Sequence, residues 1–187
     1  MLTPKIVVAV MVLTLLPRVS SSQASAPTQT ATYVPAADVQ KIFKLTTTDK
    51  SADEMLKSLN LGPYNVSVNI QRRAKIKDEA GSKHSKITEI YYILNGSGYF
   101  LTGGTIGDDA KANSYSKDRP GQVGPGFRGT FKDPGLVTRK VGSGDTIIVP
   151  PDTGHSWSLV EDHIEYMLFR VDHEHVIPAP FVHEALK

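Results

Sequence analysis

Two imidazoles and one carboxylate stand out as the groups in this chain that could do chemistry. His84 and Glu89 lie in residues 82–89 (SKHSKITE), and His155 closes residues 144–155 (GDTIIVPPDTGH), about 70 positions later. Each segment borders an apolar run with glycine nearby, so each group is carried by a strand or its turn. Two neutral imidazoles and a carboxylate on rigid strands form a 2-His-1-carboxylate face. Such a face leaves coordination positions open and suits Fe(II), and equally Mn, Ni or Zn. His84 and Glu89 are five residues apart, an odd number that would point them to opposite faces of a straight strand. A bulge or short turn at Ser85–Lys86 is therefore expected to restore the parity. Glu89, Tyr91 and Ile93 then share one face, as do His155 and Trp157. Tyr91 and Trp157 would line an apolar pocket with a polar centre, and Tyr91 or a bound water is the candidate proton relay.

Other residue types narrow the chemistry. The chain of 187 residues has no cysteine, which excludes thiol nucleophiles, thiolate metal sites and disulfides. Hydrophobic residues at 40% and charged residues at 21% describe a globular chain rather than a disordered or fibrous one. Lys and Arg never run longer than two, so the footprint of a nucleic-acid binder is missing. His173-Glu174-His175 has the spacing of a metal clamp but no third ligand nearby, and reads as solvated. Arg72-Arg73 could hold an anionic substrate, or be solvated like most such pairs. Asn65-Val66-Ser67 and Asn95-Gly96-Ser97 have the form of glycosylation acceptors; Asn95-Gly96 reads better as a hairpin turn.

The elements that must position these groups follow from periodicity. Lys5, an apolar run at residues 6–16, and the small-residue exit Ala24-Ser25-Ala26 are the parts of a secretory signal peptide. Eleven residues rise only about 16 Å as a helix, too short for a hydrocarbon core of roughly 30 Å. Cleavage removes Lys5 and Arg18 and no acidic residue, so the formal charge of +2 falls to zero. The expected organisation is a signal peptide at 1–24, a flexible lead-in with short helices at 25–63, a β domain at 64–172 and a tail at 173–187. Helices are expected over residues 36–43 and, behind the capping box Ser51–Glu54, up to Asn60. Strands are expected over residues 66–70, 87–94, 99–102, 136–141, 146–149, 156–159 and 164–171. In the first, Val66, Val68 and Ile70 form the buried face. Many short strands behind a helical start argue for an antiparallel barrel or sandwich. Residues 105–135, rich in Gly and Pro, form either a lid or pocket rim or an inert excursion.

The two segments resemble the motifs of the cupin superfamily, G-x5-H-x-H-x3,4-E-x6-G and G-x5-P-x-G-x2-H-x3-N. His84, Glu89 and Gly96 match the first motif; Gly144, Pro150 and His155 match the second. Three positions depart: Ser82 replaces the first His, Asp152 stands where the family prefers Gly, and Leu159 replaces the final Asn. Residues 88–106 and 144–157 also resemble small exported single-domain cupins. The resemblance, over residues 64–172, implies an all-β double-stranded β-helix (jelly-roll) barrel with short N-terminal helices. It further implies a divalent metal held by His84, Glu89 and His155, and a small-molecule ligand or substrate. A metal-dependent oxygenase, isomerase or lyase is one functional expectation; a non-catalytic ligand-binding barrel without metal is the other. Secretion or periplasmic export follows from the leader, with no membrane attachment after cleavage and a homodimer as the candidate assembly.

Overall fold

The computed structural model describes residues 30–106, 111–112 and 123–187. The expected signal peptide and residues 107–110 and 113–122 of the expected 105–135 loop lie outside the described residues; residues 126–129 and 131–135 of that stretch are strand rather than loop. Helix α1 (Ala36–Phe43) leads into strands β1 (Ala52–Asn60), β2 (Asn65–Arg73), β3 (Ile76–Lys77), β4 (Gly81–His84) and β5 (Ile87–Ile106). They are followed by β6 (Lys111–Ala112), β7 (Gly126–Gly129), β8 (Phe131–Gly142), β9 (Thr146–Val149), β10 (His155–Val160), β11 (Ile164–Asp172) and β12 (Phe181–Val182). Every pairing is antiparallel. One sheet runs β12-β1-β2-β11-β5 and gains β9 on the free side of β5. The other runs β8-β5-β10-β4-β7-β6, with β3 also on β10.

Strand β5 belongs to both sheets. Its first half, up to Gly96, pairs with β11, and its second half, from Ser97, pairs with β8. Asn95-Gly96 is therefore not a hairpin turn, as the dipeptide had indicated, but the corner at which one strand crosses between sheets. Gly96 takes φ +76°, and a Cβ there would stand 2.1 Å from the His163 carbonyl oxygen. Only glycine fits that approach without moving backbone. Between the sheets, Tyr91, Ile93, Phe100, Val149, Trp157, Ile164, Tyr166 and Leu168 form the main core.

Helix α1 forms where residues 36–43 place Val39, Ile42 and Phe43 on one face. That face covers Leu56 and Ile70. The second expected helix is instead strand β1. Its backbone is consumed by pairing with β2, from Ala52 opposite Arg72 to Asn60 opposite Asn65. Met55 joins a cluster with Ile87 and Ile177, and Leu56, within the bulge between Met55 and Lys57, packs under α1. Two adjacent apolar residues thus reach opposite faces of the sheet, a pattern that mimics a helical stripe. The face of β2 is also reversed. Asn65, Ser67, Asn69 and Gln71 are buried, whereas Val66 and Val68 are half-buried on the other side. The apolar side of β2 meets α1 at Ile70, and its polar side lines the barrel. At the C-terminus, β12 pairs with β1, so residues 173–187 include a strand of the barrel's sheet. Among the described residues, no helix is long and apolar enough to cross a membrane.

Candidate metal centre

His84 ends β4, Ser85–Lys86 form the expected short turn, and Glu89 is the third residue of β5. The turn restores the parity: His84, Glu89, Tyr91 and Ile93 are all buried. His155 opens β10, and its Cα pairs with Ser82 on one side and Thr102 on the other. The loop before it is held by Asp152 N–H donating to the His84 carbonyl at 2.8 Å and Gly103 N–H donating to the Gly154 carbonyl at 3.0 Å. Asp152 itself has φ +58°, which explains why this motif position favours glycine and tolerates aspartate.

One ligand atom from each of His84, Glu89 and His155 lies within 4.8 Å of the others. His155 Nε2 is 3.1 Å and His84 Nε2 is 3.9 Å from Glu89 Oε2. The other nitrogen of His155, Nδ1, lies 3.1 Å from the Thr153 carbonyl oxygen. A carbonyl accepts only, so Nδ1 carries a proton and Nε2 is the nitrogen free to act in the site. His84 Nδ1 is buried with no partner in the chain. Tyr91 donates from its hydroxyl to Glu89 Oε2 at 2.8 Å, and Arg170 Nε donates to Oε1 at 2.9 Å. Arg170 Nη2 continues to Asp53 Oδ2 at 3.1 Å, where Gln71 Nε2 also donates, and Tyr166 donates to Gln71 Oε1 at 2.6 Å.

These contacts set the ionisation of the site. Burial pushes the His84 imidazolium down to about 4, against the pull of Glu89, so His84 is neutral at pH 7. Burial opposes the Glu89 carboxylate, but His84, Arg170 and His155 together hold it well below the usual range. His155 is buried too, yet its contact with Glu89 raises it above the ordinary histidine value. Glu89 stands closer to His155 than to His84, which accounts for the opposite shifts. Burial, then the Glu89 charge, keeps the Tyr91 phenol protonated far above neutral pH.

The two motifs meet inside one barrel: their three donors come from strands β4, β5 and β10 and converge between the sheets. The chain folds as the antiparallel two-sheet barrel that the resemblance implied. No family model matches the sequence, and no curated protein matches it. Solved structures similar to this chain include the DMSP lyase DddQ from Ruegeria pomeroyi DSS-3, at 16% identity and a TM-score of 0.42, covering 72% of this chain and 52% of that one. A protein from Bacillus halodurans aligns over 87% of this chain and 92% of its own at 13% identity and a TM-score of 0.44. A recombinant oxalate oxidase in complex with glycolate aligns over 68% of this chain and 53% of its own at 21% identity and a TM-score of 0.39. This chain spans about half the length of the lyase and of the oxidase.

Sequence reasoning brought His84, Glu89, His155 and Tyr91 to one site, and the fold places them together. It missed Arg170, Asp53 and Gln71. Arg170 carried a legible signal, since it sits in phase with Ile164, Tyr166 and Leu168 on the buried face of β11. An arginine in register with core residues is a buried, paired charge. Asp53 was hidden by its assignment to a capping box, and Gln71 by the reversed face of β2. His173 and His175 form no metal group: His175 Nδ1 lies 2.9 Å from Asn65 Oδ1, and His173 packs against the Tyr64 ring.

Proposed function

We propose that this barrel binds one divalent transition-metal ion through His84, Glu89 and His155 and acts on a small molecule in the cavity beside it. The observation that carries the reading is the donor set: three buried groups within 4.8 Å, two of them imidazoles oriented by or toward a shared carboxylate. The partnerless ring nitrogen of His84 fits the same reading, because a buried imidazole without a hydrogen bond is costly unless something else engages it. When bound, such an ion supplies Lewis-acid chemistry with positions open to a ligand. The chain's own residues do the rest. Arg170 fixes the Glu89 carboxylate from one side, and Tyr91 holds a proton at its hydroxyl oxygen against the other. Phe100, Trp157 and Tyr166 wall a cavity of about 400 Å³.

A second reading, a ligand-binding barrel without metal, draws on a different observation. Glu89 already has counter-charges in Arg170 at 2.9 Å and, when protonated, His155 at 3.1 Å. Elemental analysis of the purified protein, followed by titration of the chelator-treated protein with Zn, Mn, Ni and Fe(II), separates the two. About one tightly held ion per chain supports the metal centre. Protein that is metal-free as isolated and takes up none of the four supports the second reading. The export reading rests on the leader alone.

A further inference from the structure

Strand β2 ends in two arginines that point opposite ways. Arg72 lies on the outer face: its Nε donates to Glu165 Oε1 at 2.8 Å, its Nη1 donates to Thr46 Oγ1 at 2.6 Å, and its guanidinium covers the Phe43 ring. Arg73 lies on the inner face and lines the same cavity as the His84, Glu89 and His155 group. Its nearest carboxylate oxygen is Glu79 Oε2, 3.8 Å from Nε, beyond hydrogen-bond reach. Nε is buried and has no hydrogen-bond partner. Glu79 is not its partner alone, since Arg128 Nη2 stands 3.5 Å from the other oxygen.

The charges around this cavity are therefore unevenly shared. Arg170 lies between two carboxylates, Asp53 and Glu89, leaving an excess negative charge beside the imidazoles. Arg73 and Arg128 flank the single carboxylate of Glu79, and although Asp53 also acts on Arg73 at longer range, no carboxylate is hydrogen-bonded to its Nε. The first cluster suits a cation; the second suits an anion. A planar guanidinium with unused N–H groups matches a carboxylate, which takes two parallel hydrogen bonds. A carboxylate brings one negative charge beside Glu79, whereas a phosphate dianion would bring two.

We propose that the cavity binds a small carboxylate whose –COO⁻ group is held by Arg73, with Arg128 at its side. This deepens the proposed function by naming the ligand class, and it rests on that reading only for what the rest of the ligand faces.

The test is calorimetric titration of acetate, malonate, succinate and benzoate, each beside its neutral amide, and of inorganic phosphate. Each is titrated into chelator-treated and zinc-treated protein. At least one carboxylate should bind about tenfold or more tighter than its amide and than phosphate, the scale of a lost charge-assisted bond. Arg73→Gln should remove that preference. Arg73→Lys should keep only part of it, and Arg72→Gln, on the other face, should keep all of it. If Arg73→Gln does not fold, Arg73→Lys carries the comparison, because a bidentate seat loses affinity when the fork becomes a point charge. The proposal is overturned if no carboxylate binds, if amides or phosphate bind as well, or if the Arg73 variants bind like the parent. Arg73-dependent carboxylate binding by protein that takes up no metal would sustain this inference and sink the metal centre. Metal uptake without Arg73-dependent binding would do the reverse.

Discussion

Replacing Glu89 by Gln separates the two roles the structure gives this side chain. As a carboxylate, Glu89 accepts from Arg170 at Oε1 and from Tyr91 at Oε2, and faces His155 Nε2. A glutamine amide can keep most of that geometry. Its oxygen can take the Arg170 bond, and its NH₂ can donate to a neutral His155 Nε2, since Nδ1 already carries the proton toward Thr153. The Tyr91 hydroxyl loses its acceptor at that position, so the loss is one buried hydrogen bond plus charge assistance in the Arg170 and His155 contacts, about 1 kcal/mol each and about 3 kcal/mol together. Glu89→Ala would cost more, about 3–5 kcal/mol, because Arg170 would be left buried with Asp53 alone. Metal binding should suffer far more than stability. Loss of an anionic ligand should lower affinity by about a hundredfold or more, the upper end of what even outer hydrogen-bond partners contribute.

The pH dependence provides a second readout. His155 has its folded-state value raised above 6.5 by Glu89, so its contribution to stability is complete below pH 6.5 and is lost as pH rises through the folded value. His84 works in the opposite sense: its value of about 4 makes the folded state lose stability as pH falls from about 6.5 toward 4. Urea unfolding of the chelator-treated protein at several pH values should therefore show a decline above pH 6.5 that Glu89→Gln abolishes. If the variant declines equally there, the His155–Glu89 contact does not shift the titration. If Glu89→Gln and His155→Ala both retain the parent's metal content by plasma emission, the metal centre lies elsewhere.

Ser82→His should raise metal affinity in a calorimetric titration, because residue 82 lines the same cavity and its Cα pairs with that of His155. Unchanged affinity would show that the residue 82 side chain does not reach the ion. Gly96→Ala should cost about 2 kcal/mol or more in urea unfolding, from a left-handed backbone and a Cβ placed against the His163 carbonyl oxygen; an unchanged midpoint would refute the tight corner. Protein recovered from the medium or periplasm should have lost its leader, with cleavage between Ser22 and Pro27 in its intact mass, and exported protein retaining Met1 would refute that.

The candidate donors were legible because chemistry and spacing coincide: His84 and His155 fall in glycine-bounded segments, and Glu89 begins an alternating strand. Helix α1 was legible for the same kind of reason, a short amphipathic stripe before a break. Strand β1 was not, because it buries Met55 and Leu56 side by side and leaves Leu59 four residues on, spacing that a helix would also produce. The polar interior of β2 was hidden by the assumption that apolar residues face the core. In this barrel the interior on that side is polar, with Asn65 and Gln71 hydrogen-bonded and the Ser67 and Asn69 side chains buried without partners, and the valines and isoleucine face outward, toward α1 at Ile70. Arg73 follows from that inversion, whereas Arg170 lies in phase with the apolar face of β11, and neither motif includes them.

The pairing of Phe181 and Val182 with Ser58 and Lys57 has a consequence for one margin of the sheet. Strand β1 is the margin of its sheet and also carries Asp53, the carboxylate behind Arg170. Those two residues, with the His183 N–H donating to the Leu56 carbonyl at 2.8 Å, cap part of a margin whose backbone would otherwise be a template for a foreign strand. A chain trimmed before Phe181 would keep every proposed metal ligand, yet expose a sticky edge one side chain away from the network that fixes Glu89. Association between trimmed chains would then register as a change in the barrel's interior.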